Sequence, residues 1–410
     1  MYISQLNNGL RVLHIQHNSP VSHFGILINT GTRDELQNEN GCAHLVEHSL
    51  FKGTSNRSAK SLALGLDNIG ADVNAYTTKE DTCVHVSFLS EYYPRIMDIF
   101  ADMLFYSTFP EKEICKEINV IKEEIMSCFD SPSEVIYDDF ENFLFTGHSL
   151  GRNILGTAQT LDVFANNLDI VRNFFSNNYL NNEIVLWSDG NLSEKKFMSL
   201  CEKYFGNSPL KTQSRERQHV TPYIGFNKVI DRDDVQCNVV MGGRAFSSYE
   251  KGRDAFTLLN HILGSDAISS RLNDKVREKR GLVYQIESSY TPYCDTGIFS
   301  IFYECEYDAQ EKVNSIIRRE LNKLKDNRMG SLQLGIAKKR LKGYIAVAAD
   351  SRLNDAISSA KALSVFNKVD DLKAVFRRID AITEDDMLEV ANVVFDESNL
   401  SQLIYRPHES

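Results

Sequence analysis

Residues 41–48 read Gly-Cys-Ala-His-Leu-Val-Glu-His, and they are the most informative stretch of the chain for its fold and for its chemistry. Side chains four positions apart lie on one face of an α-helix, so His44 and His48 can offer both imidazoles to one ion. Glu47 falls on the same side, within reach of a water bound to that ion. The order is the inverse of the His-Glu-x-x-His zinc motif. Two imidazoles and a carboxylate suit zinc, which keeps a fourth position for water in catalytic sites.

The residues around this motif weigh against a chance match on a solvated helix. Leu45, Val46, Leu50 and Phe51 make the helix apolar on more than one side, which predicts that it is buried. Buried imidazoles and a buried carboxylate without partners would be costly. A bound metal ion removes that cost, so the motif favours a metal site.

A third protein ligand is expected from a second helix, predicted over residues 111–128. Its apolar positions recur at spacings of four and three, and Glu113, Glu117 and Glu124 lie beside that stripe within about 40° of one another. Periodicity does not choose among the three. Glu117 and Glu124 are separated by about 10 Å of helix axis, so only one should reach the metal. The other could orient a histidine ligand from behind.

The composition excludes several classes of function. A net charge of −11 argues against nucleic acid, because a phosphate-binding face needs clustered Lys and Arg. The N-terminus shows no signal peptide, and no apolar run approaches the roughly 20 residues that span a bilayer. Eight cysteines occur without a Cys-x-x-Cys spacing, which disfavours a zinc ribbon or a redox dithiol. We therefore expect no membrane partner and a cytoplasmic location.

The order of predicted elements repeats along the chain. Each half reads as strands, helices, a strand pair and long helices, and a polar stretch bounded by prolines, 209–222, is the best linker candidate. This pattern predicts a domain over 1–208, the linker, and a second domain over 223–410. The fold class is α+β, with two structurally similar domains, each an antiparallel-rich sheet covered by helices on one side.

With these motifs in view, the chain resembles the pitrilysin/insulinase family of zinc peptidases, which includes the mitochondrial processing peptidases. The His44–His48 motif continues as Phe-Lys-Gly-Thr at 51–54, and a glutamate follows 76 residues after His48 within a Glu-x6-Glu pattern. The resemblance implies that Glu124 is the third ligand of one Zn²⁺ per chain. It leaves Glu117 as an accessory acid behind the ligands.

A second segment, 70–77, reads Gly-Ala-Asp-Val-Asn-Ala-Tyr-Thr and also resembles the family. In relatives this segment forms an edge strand near the zinc, where a substrate peptide adds as a further strand. The resemblance therefore implies substrate binding by Asn74, Ala75 and Tyr76, through main-chain hydrogen bonds and side-chain pockets. Taken alone, Asn74 reads equally well as a turn residue.

In the second half, Arg277 and Tyr284 match an Arg-x6-Tyr element of the family. The resemblance implies that they contact the substrate and the tetrahedral intermediate, because an arginine and a tyrosine hydroxyl can both donate to a developing oxyanion. Without the family, the basic run 277–280 reads as a solvated helix end.

The chain holds two domains, whereas insulin-degrading members join four. It therefore resembles the short subfamily that closes a chamber by pairing two chains, and a homodimer is expected because both motif-bearing halves are intact. A heterodimer with a related chain is the alternative. The predicted function is a metallo-endopeptidase that cleaves short or unfolded peptides with Glu47 as general base. The competing interpretations are a non-catalytic assembly subunit and a purely structural metal site.

Overall fold

The computed structural model describes residues 1–265 and 267–407. It contains two compact units, neither of which is continuous in sequence. The first unit combines Met1–Ser127, Arg152–Gln218 and Ala349–Val369. The second combines Cys128–Gly151, His219–Ala348 and the chain from Asp370 onward. The division of the sequence into domains ending at 208 and beginning at 223 stays a prediction. It does not anticipate that Cys128–Gly151 belongs to the second unit and Ala349–Val369 to the first.

The first unit contains a six-stranded sheet. Its strands are β1 (Tyr2–Gln5), β2 (Arg11–Gln16), β3 (Val21–Ile28), β4 (Asp72–Thr77), β5 (Thr82–Leu89) and β6 (Ile184–Gly190). Their spatial order is β1-β2-β6-β3-β5-β4, so β4 is the last strand on its side. The β2–β6 pair is parallel and the other pairs are antiparallel.

The second unit contains a five-stranded sheet. Its strands are β7 (Asn227–Arg232), β8 (Cys237–Ala245), β9 (Gln285–Pro292), β10 (Gly297–Cys305) and β11 (Ser401–Pro407). The order β7-β11-β8-β10-β9 repeats the order β2-β6-β3-β5-β4 of the first sheet, including one parallel pair at the same place. The predicted α+β class with two structurally similar, antiparallel-rich domains is confirmed.

Helices account for most of the remaining structure. In chain order they are α1 (Cys42–Ser49), α2 (Ala59–Asp67), α3 (Tyr93–Tyr106), α4 (Glu111–Phe129), α5 (Pro132–Leu144), α6 (Ala158–Asn166), α7 (Asp169–Asn178), α8 (Glu194–Phe205), α9 (Arg253–Gly264), α10 (Gln310–Asp326), α11 (Ser331–Ala348), α12 (Arg352–Phe366), α13 (Leu372–Ala381) and α14 (Glu384–Val394). A π-helical segment covers Asn273–Glu278. Within the described ranges, no helix is long and apolar enough to cross a membrane.

One apolar core holds α1 and α4 against the first sheet. It joins alternate residues of β3 and β5 to the apolar sides of these two helices, namely Phe24, Ile26, Ile28, Val84, Val86, Leu45, Val46, Ile114, Ile118 and Ile121. Each such buried side chain contributes roughly 1.5–3 kcal/mol. The two helices that carry the predicted metal ligands are therefore anchored in a common core.

Each sheet has its principal helical layer on one face, and a single helix from the other half of the sequence covers the opposite face. On the first sheet this helix is α12, which packs through Ala356, Ala360 and Leu363 against Leu13, Leu27, Val185 and Trp187. On the second sheet it is α5, which packs through Ile136, Phe140 and Leu144 against Val240, Ile298, Phe302 and Leu403. These two helices explain why the compact units are discontinuous.

The first part of the predicted linker is held on the first unit by charge. Arg217 donates from Nε to Asp34 Oδ1 at 2.9 Å and from Nη2 to Oδ2 at 2.9 Å. The Asp34 side chain is only 1% exposed. Arg33 also donates to the carbonyl of Gln218 at 3.0 Å. The polar composition of this stretch thus reflects specific ion pairs, in addition to its position between the two halves of the sequence.

Candidate metal centre

The residue before α1 is a glycine in a close backbone approach. Gly41 precedes the helix with a φ of +95°, and a Cβ there would lie 3.0 Å from the Leu155 carbonyl oxygen and from the Gly156 Cα. Only glycine fits comfortably at such a site. From this start, α1 turns Leu45 and Val46 into the core, while the His44 and His48 rings lie together with their centroids 4.6 Å apart.

The Glu124 carboxylate of α4 faces both histidines. Its Oε2 lies 3.9 Å from His44 Nε2 and its Oε1 lies 3.8 Å from His48 Nε2. Candidate ligand atoms of the three residues all lie within 4.8 Å of one another. Tetrahedral zinc at its usual bond lengths separates its ligands by roughly 3.3 Å, so a small contraction would accommodate the ion. The donor set, two imidazoles and a carboxylate, therefore fits zinc.

The His44 imidazole is in the form that a metal requires. Burial, with a smaller effect from the neighbouring His48, lowers the pKa of His44 from 6.5 to about 4. The ring is therefore neutral near pH 7, with the lone pair of one ring nitrogen available for coordination.

Glu117 lies behind His48 and fixes how that ring is presented. Its Oε2 is 3.2 Å from His48 Nδ1, and its Oε1 is 2.8 Å from Lys52 Nζ. A proton on Nδ1 that is donated to Glu117 leaves Nε2 as the free acceptor on the Glu124 side. Glu113, the third glutamate of the helix face, instead pairs with Lys116 at 2.9 Å. The structure thus gives the three glutamates three different surroundings.

Glu47 lies beside the histidines, with 7% of its surface exposed. Its Oε2 accepts a hydrogen bond from the Thr77 hydroxyl at 2.8 Å. Burial raises the pKa of Glu47, while the Thr77 hydrogen bond and His48 oppose that rise. A carboxylate with a raised pKa is better matched to proton transfer near neutral pH. Sequence reasoning did not single out Thr77, although Thr77 belongs to the 70–77 segment and lies on the same face of the strand as Ala75.

The predicted substrate-binding residues lie on β4, the last strand of its sheet. Asn74 accepts a hydrogen bond from the Ala75 amide at 2.8 Å. The Tyr76 side chain packs on the α12 face of the sheet, with Lys361 Nζ 4.9 Å from its ring centroid. Ala75 packs against the opposite core, on the side where Thr77 reaches Glu47. On the Glu47 side of the sheet, Tyr76 can therefore contact a peptide through its main chain and not through its side chain. The substrate role of all three residues stays a prediction.

Arg277 and Tyr284 lie in the second unit. Arg277 is exposed in the π-helical segment. Tyr284 precedes β9 and is 57% exposed, and its hydroxyl donates to Glu306 Oε1 at 2.9 Å. This hydrogen bond raises the pKa of the Tyr284 phenol, which keeps its proton. Both side chains can donate hydrogen bonds, and their catalytic role stays a prediction.

Comparisons with known proteins show which family the chain is similar to. Residues 11–158 match the family model described as insulinase (peptidase family M16), and residues 166–341 match the model described as peptidase M16 inactive domain. The predicted metal residues all fall within the first match.

Relatives of the chain align over nearly its full length. A Bacillus subtilis (strain 168) protein named uncharacterized zinc protease YmxG is 32% identical over 403 residues, covering 97% of this chain and 96% of the relative. An uncharacterized zinc protease of Rickettsia bellii (strain RML369-C) is 31% identical over 407 residues, covering 98% and 97%.

Solved structures show the same fold. The crystal structure of a protease from Helicobacter pylori superimposes with a TM-score of 0.89 at 23% identity, covering 99% of both chains. A Pseudomonas fluorescens structure described as a peptidase M16 inactive domain gives a TM-score of 0.91 at 19% identity, covering 100% of this chain and 98% of the other. The sequence matches extend across both halves of the chain, which belongs to the insulinase family of peptidases, family M16, as a two-domain member.

Proposed function

We propose that this protein is a zinc-dependent metallo-endopeptidase that hydrolyses peptide bonds of short or unfolded peptides, with one Zn²⁺ per chain. The observation that carries the proposal is the convergence of His44, His48 and Glu124 beside Glu47. A purely structural metal site would not need a fourth residue, the non-ligating carboxylate Glu47, held by the Thr77 hydroxyl.

Each residue of the site has its own role in hydrolysis. When bound, Zn²⁺ would act as a Lewis acid and lower the pKa of a coordinated water. Glu47 accepts the proton of the attacking water and then delivers it to the leaving amine. Thr77 holds one oxygen of Glu47, so the other can face the water. Glu117 keeps His48 in the tautomer that presents Nε2.

Substrate would be held mainly through its backbone. As the last strand of its sheet, β4 has main-chain groups on its outer side that an extended peptide can pair with. This mode suits a segment without folded structure, because both partners must be extended. Arg277 and Tyr284 are proposed to stabilise the oxyanion within a closed chamber, in a homodimer where they serve the partner's site. Their exposure and donor chemistry support this part of the proposal.

A non-catalytic assembly subunit is the alternative, and the description of the second matched domain as inactive is the finding that favours it. A single set of variants separates the two functions. Metal content and cleavage of an unstructured fluorogenic peptide are measured for wild type, Glu47→Gln, Glu124→Gln and, as a matched control, Glu123→Gln. Glu123 adjoins the proposed ligand on α4 and is exposed.

We expect one zinc per wild-type chain and chelator-sensitive hydrolysis. Glu47→Gln should keep zinc and lose activity by about 10³-fold, because general-base contributions are of this order. Glu124→Gln should lose zinc, and Glu123→Gln should behave as wild type. Full hydrolysis by zinc-loaded Glu47→Gln would refute the mechanism. Zinc binding by wild type without cleavage of any unstructured peptide, alone or mixed with a related chain, would favour the assembly subunit.

A further inference from the structure

The carboxylate of Glu35 is buried against the first turn of α1. Glu35 is 4% exposed. Its Oε1 accepts hydrogen bonds from the amides of Gly41 at 3.1 Å and Ala43 at 2.9 Å, and its Oε2 lies 3.1 Å from the Gly41 amide. The first amides of a helix have no partner within the helix itself. Glu35 therefore caps α1 from six residues upstream.

The cap comes from an upstream residue because the residue before the helix is a poor place for a local one. This residue is Gly41, whose φ of +95° strains any L side chain and whose added Cβ would lie 3.0 Å from the Gly156 Cα. Serine, threonine or aspartate, the usual capping residues, would therefore be strained at this position. The first turn is instead held by Glu35, whose longer side chain reaches it from the preceding loop.

The same loop is tied to the strand that orients Glu47. Arg152 Nη1 donates to the carbonyls of Glu35 at 3.0 Å and Leu36 at 2.8 Å. The Arg152 carbonyl in turn accepts from Lys79 Nζ at 2.6 Å. Lys79 is 5% exposed and follows Thr77 by two residues. These hydrogen bonds thus connect the start of α1 to the end of β4, where Thr77 contacts Glu47.

We propose that Glu35 is a positioning residue for the metal site, which sets where α1 begins and thereby where His44 stands relative to Glu124. His44 directly follows Ala43, whose amide Glu35 holds. The helix has only eight residues, so a displaced first turn cannot be absorbed before the ligands. The inference rests on the proposed function, because it assumes that His44 binds zinc.

The test distinguishes three contributions of Glu35: the position of its acceptor oxygen, its negative charge, and its effect on the stability of the fold. Zinc affinity is measured by competition with a chromophoric chelator for wild type, Glu35→Ala, Glu35→Asp and Glu35→Gln, with urea unfolding of each apo-protein. Glutamine keeps an oxygen in the place of Oε1, whereas aspartate keeps the charge but withdraws both oxygens. Glu39→Ala is the matched control, since Glu39 is also buried, at 6% exposed, and its carboxylate accepts from the Leu36 amide at 2.8 Å and not from the first turn of α1.

We expect zinc affinity to fall by about 10- to 100-fold in Glu35→Ala, the range seen when supports of metal ligands are removed, and by a smaller factor, about fivefold, in Glu35→Asp. Glu35→Gln should stay within about threefold of wild type and Glu39→Ala within about twofold. If Glu35→Ala does not fold, the order of the Gln and Asp variants decides.

Zinc affinity as high in Glu35→Asp as in Glu35→Gln would overturn the inference. An equal loss in Glu39→Ala and Glu35→Ala would do the same. Either result with normal zinc binding and hydrolysis by wild type would leave the proposed function standing. Failure of wild type itself to bind zinc would instead overturn the proposed function together with this inference.

Discussion

Replacement of Thr77 by valine tests whether the general base must be held by its neighbour. Valine has nearly the shape of threonine but removes the hydroxyl that donates to Glu47 at 2.8 Å. Thr82 lies 3.5 Å from Thr77, yet it cannot take over, because its single hydroxyl proton is donated to the Thr30 carbonyl at 2.8 Å. The substitution therefore leaves one oxygen of a buried carboxylate without this donor.

The size of the effect follows from the strength of that hydrogen bond. A hydrogen bond to a charged group contributes about 1.5–3 kcal/mol. If the bond holds Glu47 in its productive orientation, its loss lowers kcat by about 10- to 100-fold, at tenfold per 1.4 kcal/mol. The same bond holds down the pKa of Glu47. Its removal should raise that pKa further, so the acid limb of the rate profile should move to higher pH.

The assay is steady-state cleavage of an unstructured fluorogenic peptide by zinc-loaded protein across pH, with Thr77→Ser as the matched control. Serine keeps the hydroxyl and should retain most of kcat. Zinc content should be unchanged in both variants, since the Thr77 hydroxyl donates to Glu47, which is not one of the three proposed metal ligands. A kcat for Thr77→Val within twofold of wild type would refute the reasoning, as would equal losses in the serine and valine variants.

Three further outcomes are expected. Glu117→Gln should weaken zinc binding by about 10- to 100-fold in a chelator competition, because the His48 imidazole loses its charged partner. Burial lowers the pKa of His14 below 6.5, so only the unfolded state gains its proton as the pH falls below about 6.5. The unfolding free energy should then drop by up to about 1.4 kcal/mol per pH unit more steeply than in His14→Gln, measured by urea titration. Arg217→Ala should lower that free energy by about 1.5–3 kcal/mol, because it removes two hydrogen bonds to the buried Asp34 carboxylate, which keeps Arg215 at 3.5 Å. Lys211→Ala should change it by less than about 0.5 kcal/mol, and equal values would contradict the role given to Arg217.

Local periodicity was sufficient to group the three residues of the motif on α1. A helix repeats every 3.6 residues, so His44, Glu47 and His48 share a side wherever the helix lies in the fold. The recurrence of element order was likewise sufficient to predict two similar domains, and the matching strand orders of the two sheets confirm it. Strand and helix periods are properties of short segments, which is why the sequence expresses them directly.

The partners of that motif were decided by tertiary structure. The three glutamates of α4 differ by only about 40° around the helix, which periodicity cannot resolve. Their height along the axis relative to α1 separates them, so Glu124 faces both histidines while Glu117 lies behind one. In the sequence, family spacing alone had favoured Glu124.

Sequence and tertiary structure contribute in the same way to β4 and to the loop that carries Glu35. Alternation along β4 puts Tyr76 and Thr77 on opposite faces, but the packing of α1 and α12 determines which face meets Glu47. The cap by Glu35 is local, but the approach of Gly41 to Gly156 beside it joins residues far apart in the chain. The helices α5 and α12, which cover the sheet of the other half of the sequence, do the same. The sequence by itself determined which side chains share a face of one element. Only the tertiary structure decided which faces meet, because that depends on how whole elements pack.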